Sequence, residues 1–414
     1  MLPVYRCRCS MVSGFIKFKA GEFMRDNKLV VAQIGCGAFA RAQHLPNVTE
    51  HKELILKYCC DVDMASAEDA AKIYGAEKAV GSYEQIMNDS EVDLLMVATP
   101  HDQHLPIVKA ASLCGKHVFC EKPMAMNIAE CQEIIRYVKR GNIKLCVDLN
   151  RRMAPSMHAL REKVIAQRAE PVHSPWRYVE VNRELFPEEK RANLLMRVQD
   201  ESSSYRMIHL DPAYGGGLII GESVHWLDLA CWFFAPQVPV EINAWGSSRL
   251  SHGINLTFSN GDTATLCLDV CGTFDYPKEM YEVTAGAALF RHLFFVENNY
   301  YGMGGMQRET FPLQSDGFAE QVSGEGFDAF MEKCRLRNMN AGENMKESYT
   351  ALTVDKGHRR MLAEFVKAIQ QDLPSPCDEY AGLQSTLLAK LAIKSIKLKR
   401  ALPVPIEELR PAVM

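Results

Sequence analysis

From Leu29 to about residue 150 the chain repeats one unit: a short unbroken apolar run, then a longer stretch with helical periodicity. The runs fall at 29–34, 53–60, 92–99, 117–120 and 144–150, with helical stretches such as 105–113 and 128–138 between them. Continuous apolarity, unlike alternation, marks strands buried on both faces, and the intervening helices supply the cover. Crossovers between parallel strands are right-handed, so the expected architecture is α/β, a doubly wound parallel (Rossmann) sheet. At 128–138, Ile128, Cys131, Ile134, Ile135 and Val138 share one helical face, and Asn127 with Glu130 has capping-box spacing.

The first strand ends in Gly35-Cys36-Gly37-Ala38-Phe39-Ala40, a G-x-G-x-x-A turn opening a helix. Gly35 permits the tight turn, Gly37 lets backbone approach a pyrophosphate, and Ala40 lets the helix lie close on the strand. The helix N-terminus offers free N–H groups to phosphate. The second strand ends at Asp61, where a carboxylate can accept both ribose hydroxyls. Asp61-Val62-Asp63 has no arginine beside it in sequence, which favours NAD over NADP.

Composition narrows the remaining options. Across 414 residues, 47% are hydrophobic and 24% charged, as in an ordinary globular protein, and the net charge of −4 gives no case for nucleic acid or an anionic membrane. No apolar run approaches the ~20 residues of a membrane span. Fourteen cysteines lack a Cys-x-x-Cys pair, and Cys36, Cys59, Cys60, Cys120 and Cys146 sit in or beside apolar strands, so reduced thiols and a cytoplasmic setting are expected. Residues 1–27 read as a tail without function: Lys17 and Lys19 interrupt its apolar stretch, and Met24 is a natural start.

Strand carboxyl ends face the ligand crevice of such a sheet. Run 92–99 leads into Thr99, Pro100 and His104, which become candidates for contact with cofactor or substrate. Run 117–120 leads into Glu121-Lys122-Pro123. Lys122 is expected near the nicotinamide as a hydrogen-bond donor and proton carrier, with Glu121 holding it in place.

From about residue 154 the rhythm changes. Segments 176–181, 241–247, 254–259, 263–270, 281–284 and 293–297 read as strands, with Ser259-Asn260-Gly261-Asp262 as a hairpin turn. A C-terminal α+β domain with a largely antiparallel sheet is expected. A final helix over 383–400 carries Leu383, Leu387, Leu391 and Leu398 as a stripe, flanked by Lys390, Lys394 and Lys397 as a solvated edge. The glycine-rich 301–306 reads as a loop. A helix starting near Gly221 carries Glu222, His225 and Asp228, whose spacing predicts one face. There a carboxylate would raise the pKa of His225 and fix its tautomer. Asp228 reads as a structural partner. Arg152, Tyr205, Arg206, His209 and Asp211 are further pocket candidates. A metal held by His209, Glu222 and His225 has no distinctive spacing behind it, so none is expected.

The 35–40 turn, Asp61, Ala98-Thr99-Pro100 with His104, Glu121-Lys122-Pro123, Asn150-Arg151-Arg152 and Gly215-Gly216-Gly217 with His225 together resemble the glucose–fructose oxidoreductase / inositol dehydrogenase (Gfo/Idh/MocA) family from about residue 29 to 400. The resemblance implies an NAD-dependent enzyme moving hydride to or from a carbon of a sugar or polyol, with Lys122 beside the nicotinamide and His225 assisting. It also implies a homo-oligomer through the outer face of the second sheet. Relatives usually carry aspartate four residues before this histidine; here Gly221 stands there and Glu222 follows, matching a Gly-Glu-x-x-His variant and leaving the direction of Glu222 open. A redox-neutral NAD-dependent glycosidase shares the same first step and is the alternative activity, and a non-catalytic NAD-binding regulator the alternative of another class. The expected organisation is a tail at 1–27, a dinucleotide-binding domain at 28–151, a substrate and oligomerisation domain at 152–400, and a tail at 401–414.

Overall fold

The computed structural model describes residues 28–169, 191–200, 210–211, 215–273, 276–313, 324–340 and 354–409. The strand expected at 176–181, the tail 1–27 and the candidates Tyr205, Arg206 and His209 lie outside the described residues.

Six strands form the first sheet: β1 (Leu29–Ile34), β2 (Leu54–Cys60), β3 (Lys78–Val80), β4 (Leu94–Val97), β5 (His117–Cys120) and β6 (Leu145–Val147). They are parallel and run in the order β3-β2-β1-β4-β5-β6. The order reverses direction between β1 and β4, so their carboxyl ends splay apart into a crevice. β1 and β4 are buried along their whole length, as unbroken apolar runs require. The helix Ile128–Gly141 buries Cys131, Ile134, Ile135 and Val138. Its start is reciprocally capped: the Asn127 side chain accepts from Glu130 N at 3.0 Å, and Glu130 accepts from Met126 N at 3.0 Å.

Nine strands form the second sheet: β7 (Asn193–Gln199), β8 (Pro239–Gly246), β9 (His252–Phe258), β10 (Thr263–Asp269), β11 (Glu279–Ala285), β12 (Ala288–Leu293), β13 (Glu297–Tyr301), β14 (Gln307–Thr310) and β15 (Leu402–Pro403). Their order is β14-β13-β12-β11-β7-β10-β9-β8-β15, antiparallel except for the parallel pair β7 and β10. The fold is thus a parallel Rossmann sheet followed by a mostly antiparallel sheet with helices.

The strand expected at 293–297 is instead the corner between β12 and β13, with residues 294–296 in a turn. Phe294 and Phe295 take positive φ (44° and 63°) while remaining buried. His292 staples the turn, accepting from Phe295 N at 3.1 Å and meeting Asn298 Oδ1 at 2.8 Å. The apolar run goes inward because the corner folds onto the core, not because it is extended. The last helix, Glu379–Leu398, buries Leu383 and Leu387 as expected but leaves Leu398 47% exposed past its packed face.

This helix touches both sheets. Ala244 N of β8 donates to Ser395 Oγ at 2.9 Å, and Gly382 lies so close to Met124 and Val147 that a Cβ there would overlap Met124. Just upstream, Val147 N of β6 donates to Cys377 O at 2.8 Å. Among the described residues no helix is long and apolar enough to cross a membrane. Cys36, Cys59, Cys60, Cys120 and Cys146 are buried free thiols.

Candidate active site

The crevice at the end of β1 has the geometry a dinucleotide needs. Gly35 sits at φ +87° with Ala98 O where a Cβ would be, so only glycine fits. Gly37 has nothing within 4 Å of a would-be Cβ, which leaves its backbone open to a ligand. Ala40 is buried against the sheet. Asp61 braces the loop: its Oδ2 accepts from Cys36 N at 2.8 Å and its Oδ1 from Asp63 N at 3.0 Å. Thr99 Oγ1, at the carboxyl end of β4, is buried without a hydrogen-bond partner among the described residues. An open glycine backbone, a fixed carboxylate and an orphaned hydroxyl are what a bound dinucleotide would complete. One correction concerns charge. Arg41, directly after Ala40 though 20 residues before Asp61, lies at this loop, but its groups are held by Cys36 O (2.9 Å), Ser66 O (2.9 Å) and Asp69 (2.6 Å).

β5 delivers Lys122 to the same crevice. The Lys122–Pro123 bond is cis. His104 lies beneath this corner, fully buried, with Nδ1 donating to Pro123 O at 2.8 Å and Nε2 facing Thr99 O at 3.3 Å. Its ring nitrogens address the protein backbone, so it buttresses the turn instead of reaching for a ligand.

Glu121 also departs from expectation. It turns into the protein, where its Oε1 meets His44 Nε2 at 2.7 Å, and it touches Lys122 only through the backbone N–H, at 3.2 Å. Asp148 lies beside it and holds His358 Nδ1 at 2.8 Å. Burial raises Glu121. Burial also works against charge on His44, but Glu121 and Asp148 outweigh it and raise the imidazole. The ligand atoms of His44, Glu121 and Asp148 lie within 4.8 Å of one another, but their contacts read as a buried hydrogen-bonded brace. Phe39, 44% exposed, sets its edge against both His44 and His358, linking the glycine loop to this brace.

The Lys122 ammonium is held from the other half of the chain. Its Nζ donates to Gly221 O and to Glu222 Oε1, each at 2.7 Å. Glu222 does not share a helical face with His225 and Asp228. The helix breaks at Glu222-Ser223, between Gly217–Gly221 and Val224–Phe234, and Glu222 (φ −125°, ψ −49°) is swung toward Lys122. Lys278 Nζ lies 3.5 Å from Glu222 Oε2 and 2.5 Å from Asp200 Oδ2. Burial alone would raise Glu222, but Lys122 and Lys278 outweigh it and hold the carboxylate well below its usual range.

His225 is buried, and its Nδ1 has no partner among the described residues. Burial, then Arg151, Lys122, His358 and Lys278, lower its pKa well below the usual range, so the ring is neutral. This reverses the expectation of a raised pKa. Among the described residues no carboxylate bonds the Nδ1 of this ring; Glu222 is engaged by lysines and Asp228 by Arg152. The Arg152 Nε–Asp228 Oδ2 contact is 3.0 Å, with a second contact through Nη2, and Arg152 also donates to Pro376 O at 3.2 Å. Arg152 is therefore a structural partner of Asp228. Asp211 caps the loop before the helix through its carbonyl, which accepts from Gly215 N (2.9 Å) and Gly216 N (2.8 Å).

Several residues at this site escaped the sequence reading. His101 lies against Gly221, and burial, His104 and Lys122 lower it to about 3. Arg151 grips Glu279 with Nε and Nη2, both at 2.8 Å. Lys356 and Lys278 arrive from distant segments. Local signals existed only for His101, which follows Pro100 at a strand carboxyl end, and for Arg151, which lies in the Asn150-Arg151-Arg152 motif.

The fold and this crevice define a dinucleotide-binding oxidoreductase architecture, a Rossmann sheet facing a second, mostly antiparallel sheet. Residues 29–149 match the Gfo/Idh/MocA model, described as "Oxidoreductase family, NAD-binding Rossmann fold". Through this domain the chain is similar to the NAD-binding oxidoreductases of the Gfo/Idh/MocA family. It is 22% identical to the uncharacterized oxidoreductase YrbE of Bacillus subtilis (strain 168) over 393 residues, covering 92% of this chain and 97% of that protein. A shorter stretch of 103 residues is 38% identical to trans-1,2-dihydrobenzene-1,2-diol dehydrogenase of Mus musculus, covering 25% of this chain and 31% of that protein. Among solved structures, levoglucosan dehydrogenase in complex with NADH and levoglucosan shares the fold (TM-score 0.70, 17% identity, 91% of this chain and 100% of that one). So does a putative myo-inositol dehydrogenase from Sinorhizobium meliloti 1021 (TM-score 0.66, 19% identity, 91% and 100%).

Proposed function

We propose that this chain is an NAD-dependent dehydrogenase that oxidises a hydroxyl-bearing carbon of a sugar or polyol. The observation that carries the reading is the convergence at Lys122. A lysine at the carboxyl end of β5 meets Glu222 of the other half at 2.7 Å, beside a neutral His225 whose Nδ1 is free among the described residues.

Bound NAD+ supplies the hydride acceptor. The loop of Gly35, Gly37, Ala38 and Phe39, with Asp61 and Thr99, would hold the dinucleotide; Pro100 shapes the β4 exit, and Glu121 acts from beneath as part of the brace. Lys122 Nζ donates a hydrogen bond to the substrate hydroxyl, oriented by Glu222 and Gly221 O. His225 Nδ1 accepts the hydroxyl proton; a neutral imidazole can do this, and a charged one cannot. The named activities of levoglucosan dehydrogenase and the putative myo-inositol dehydrogenase support a sugar or polyol as substrate class. The buried free thiols suit a reducing cytoplasm. Trp245 and Leu195, exposed on the second sheet, suit packing of another copy there.

The test incubates purified protein with NAD+ and a panel of sugars and polyols while NADH absorbance is followed. Lys122→Ala should abolish turnover while NAD binding, measured by calorimetry, is retained. Undiminished turnover in that variant would overturn the assignment. Aglycone release from aryl glycosides without net NADH would replace oxidation with redox-neutral hydrolysis.

A further inference from the structure

Among the described residues, the charges at the far side of this crevice do not balance. Arg151, Lys122, Lys278 and Lys356 converge on three carboxylates, Glu222, Asp200 and Glu279. Glu279 already accepts four hydrogen bonds, three of them at Oε2. Its Oε1 accepts from Arg151 Nη2, and its Oε2 accepts from Arg151 Nε, from Trp226 Nε1 at 3.0 Å and from the Tyr281 hydroxyl. Lys356 reaches this crowded group only at 3.3 Å, with its side chain 22% exposed. Its ammonium otherwise faces the rings of Phe294 (5.0 Å) and Phe295 (5.8 Å). Burial, against the pull of Glu279, lowers it to about 8, and Arg151 and Lys278 add to the lowering. An ammonium has three N–H donors, so one long ion pair and two ring contacts leave Lys356 donor capacity for a further acceptor. His225 Nδ1 is a buried polar atom without a partner among the described residues, which a ligand would satisfy.

We propose that the substrate of this site carries an anionic group, a carboxylate or a phosphate on a hydroxylated carbon skeleton, which Lys356 recognises with Lys278 beside it. This deepens the dehydrogenase reading and rests on it for the place of the hydroxyl, which lies between Lys122 and His225. The lysine pair then sets specificity by discriminating sugar acids or sugar phosphates from neutral sugars. Lys278 is tethered by Asp200 and Glu222, so Lys356 carries most of the discrimination.

The test is calorimetric binding to the NAD-loaded protein at fixed ionic strength, using D-glucose, D-glucuronate and D-glucose 6-phosphate as probes. At least one charged probe is expected to bind about tenfold or more tightly than glucose, and the tighter of the two identifies carboxylate or phosphate. Lys356→Met should remove most of that preference, and Lys356→Arg should retain it, with thermal melting confirming that both variants fold. Equal binding of all three probes, or a preference that survives Lys356→Met, would overturn the charge assignment. NADH formation is followed in parallel. Charge-selective binding without NADH from any probe would leave the anion site standing and count against the dehydrogenase reading, whereas turnover of glucose without charge preference would do the reverse.

Discussion

Two carboxylates stand at the crevice, one on each side of Lys122, and they are held in opposite ways. Glu121 faces inward, in a closed brace of His44, Asp148 and His358, where burial raises its pKa. Glu222 faces the crevice, its side chain 20% exposed between two lysines that keep it ionised. The difference separates scaffold from reactive group. A carboxyl wrapped by its own domain fixes the position of a corner, and one shared between halves orients a proton carrier across the gap.

Glu222→Gln should produce the largest effect. It leaves Lys122 and Lys278 without their shared charge, and kcat/KM should fall about 100-fold, the usual scale for a lost transition-state contact, while the melting temperature moves little. Glu121→Gln should do the opposite, costing about 1–3 kcal/mol in denaturant unfolding with turnover changed only a few-fold. If the two variants behave alike, the contrast between scaffold and reactive carboxylate fails.

pH sharpens the same contrast. His101 is lowered to about 3, and His117, His158, His252 and His292 each to about 4, from an ordinary 6.5, with burial the leading cause. The unfolded chain therefore binds more protons than the folded one between those values. The stability these rings confer is complete above pH 6.5 and is lost as pH falls toward 4. His44, raised by Glu121 and Asp148 against the effect of burial, works with the opposite sign. Urea midpoints should decline steadily on acidification, and a midpoint that rises instead would show that the brace of His44 dominates. The smallest effect belongs to the cap: Asn127→Ala should cost about 1 kcal/mol with activity intact, measured by denaturation and NADH assay together.

What the sequence disclosed follows the range of the interactions. β1, β5, the Asn127–Glu130 cap and the Gly35 turn are set by neighbouring residues, and their bounds or roles could be read directly. The break at Glu222-Ser223 could not, because Lys122, about a hundred residues earlier, is what draws Glu222 out of helical register. Arg151 with Glu279, and Lys356 with both, meet only through the fold. A neutral His225 follows from burial first and then from cations that no local pattern announces. The turn at Phe294 and Phe295 was mistaken for a strand because apolarity marks burial without specifying backbone direction.

The helix Glu379–Leu398 touches β6 and helix Ile128–Gly141 on one flank and β8 on the other, and the chain just before it adds a hydrogen bond to the edge of β6. This helix is thus a party wall common to both rooms of the building. Substrate and dinucleotide must come and go while that wall stays in place, and a chain cut before residue 377 would lose a boundary of the nucleotide sheet along with its own ending.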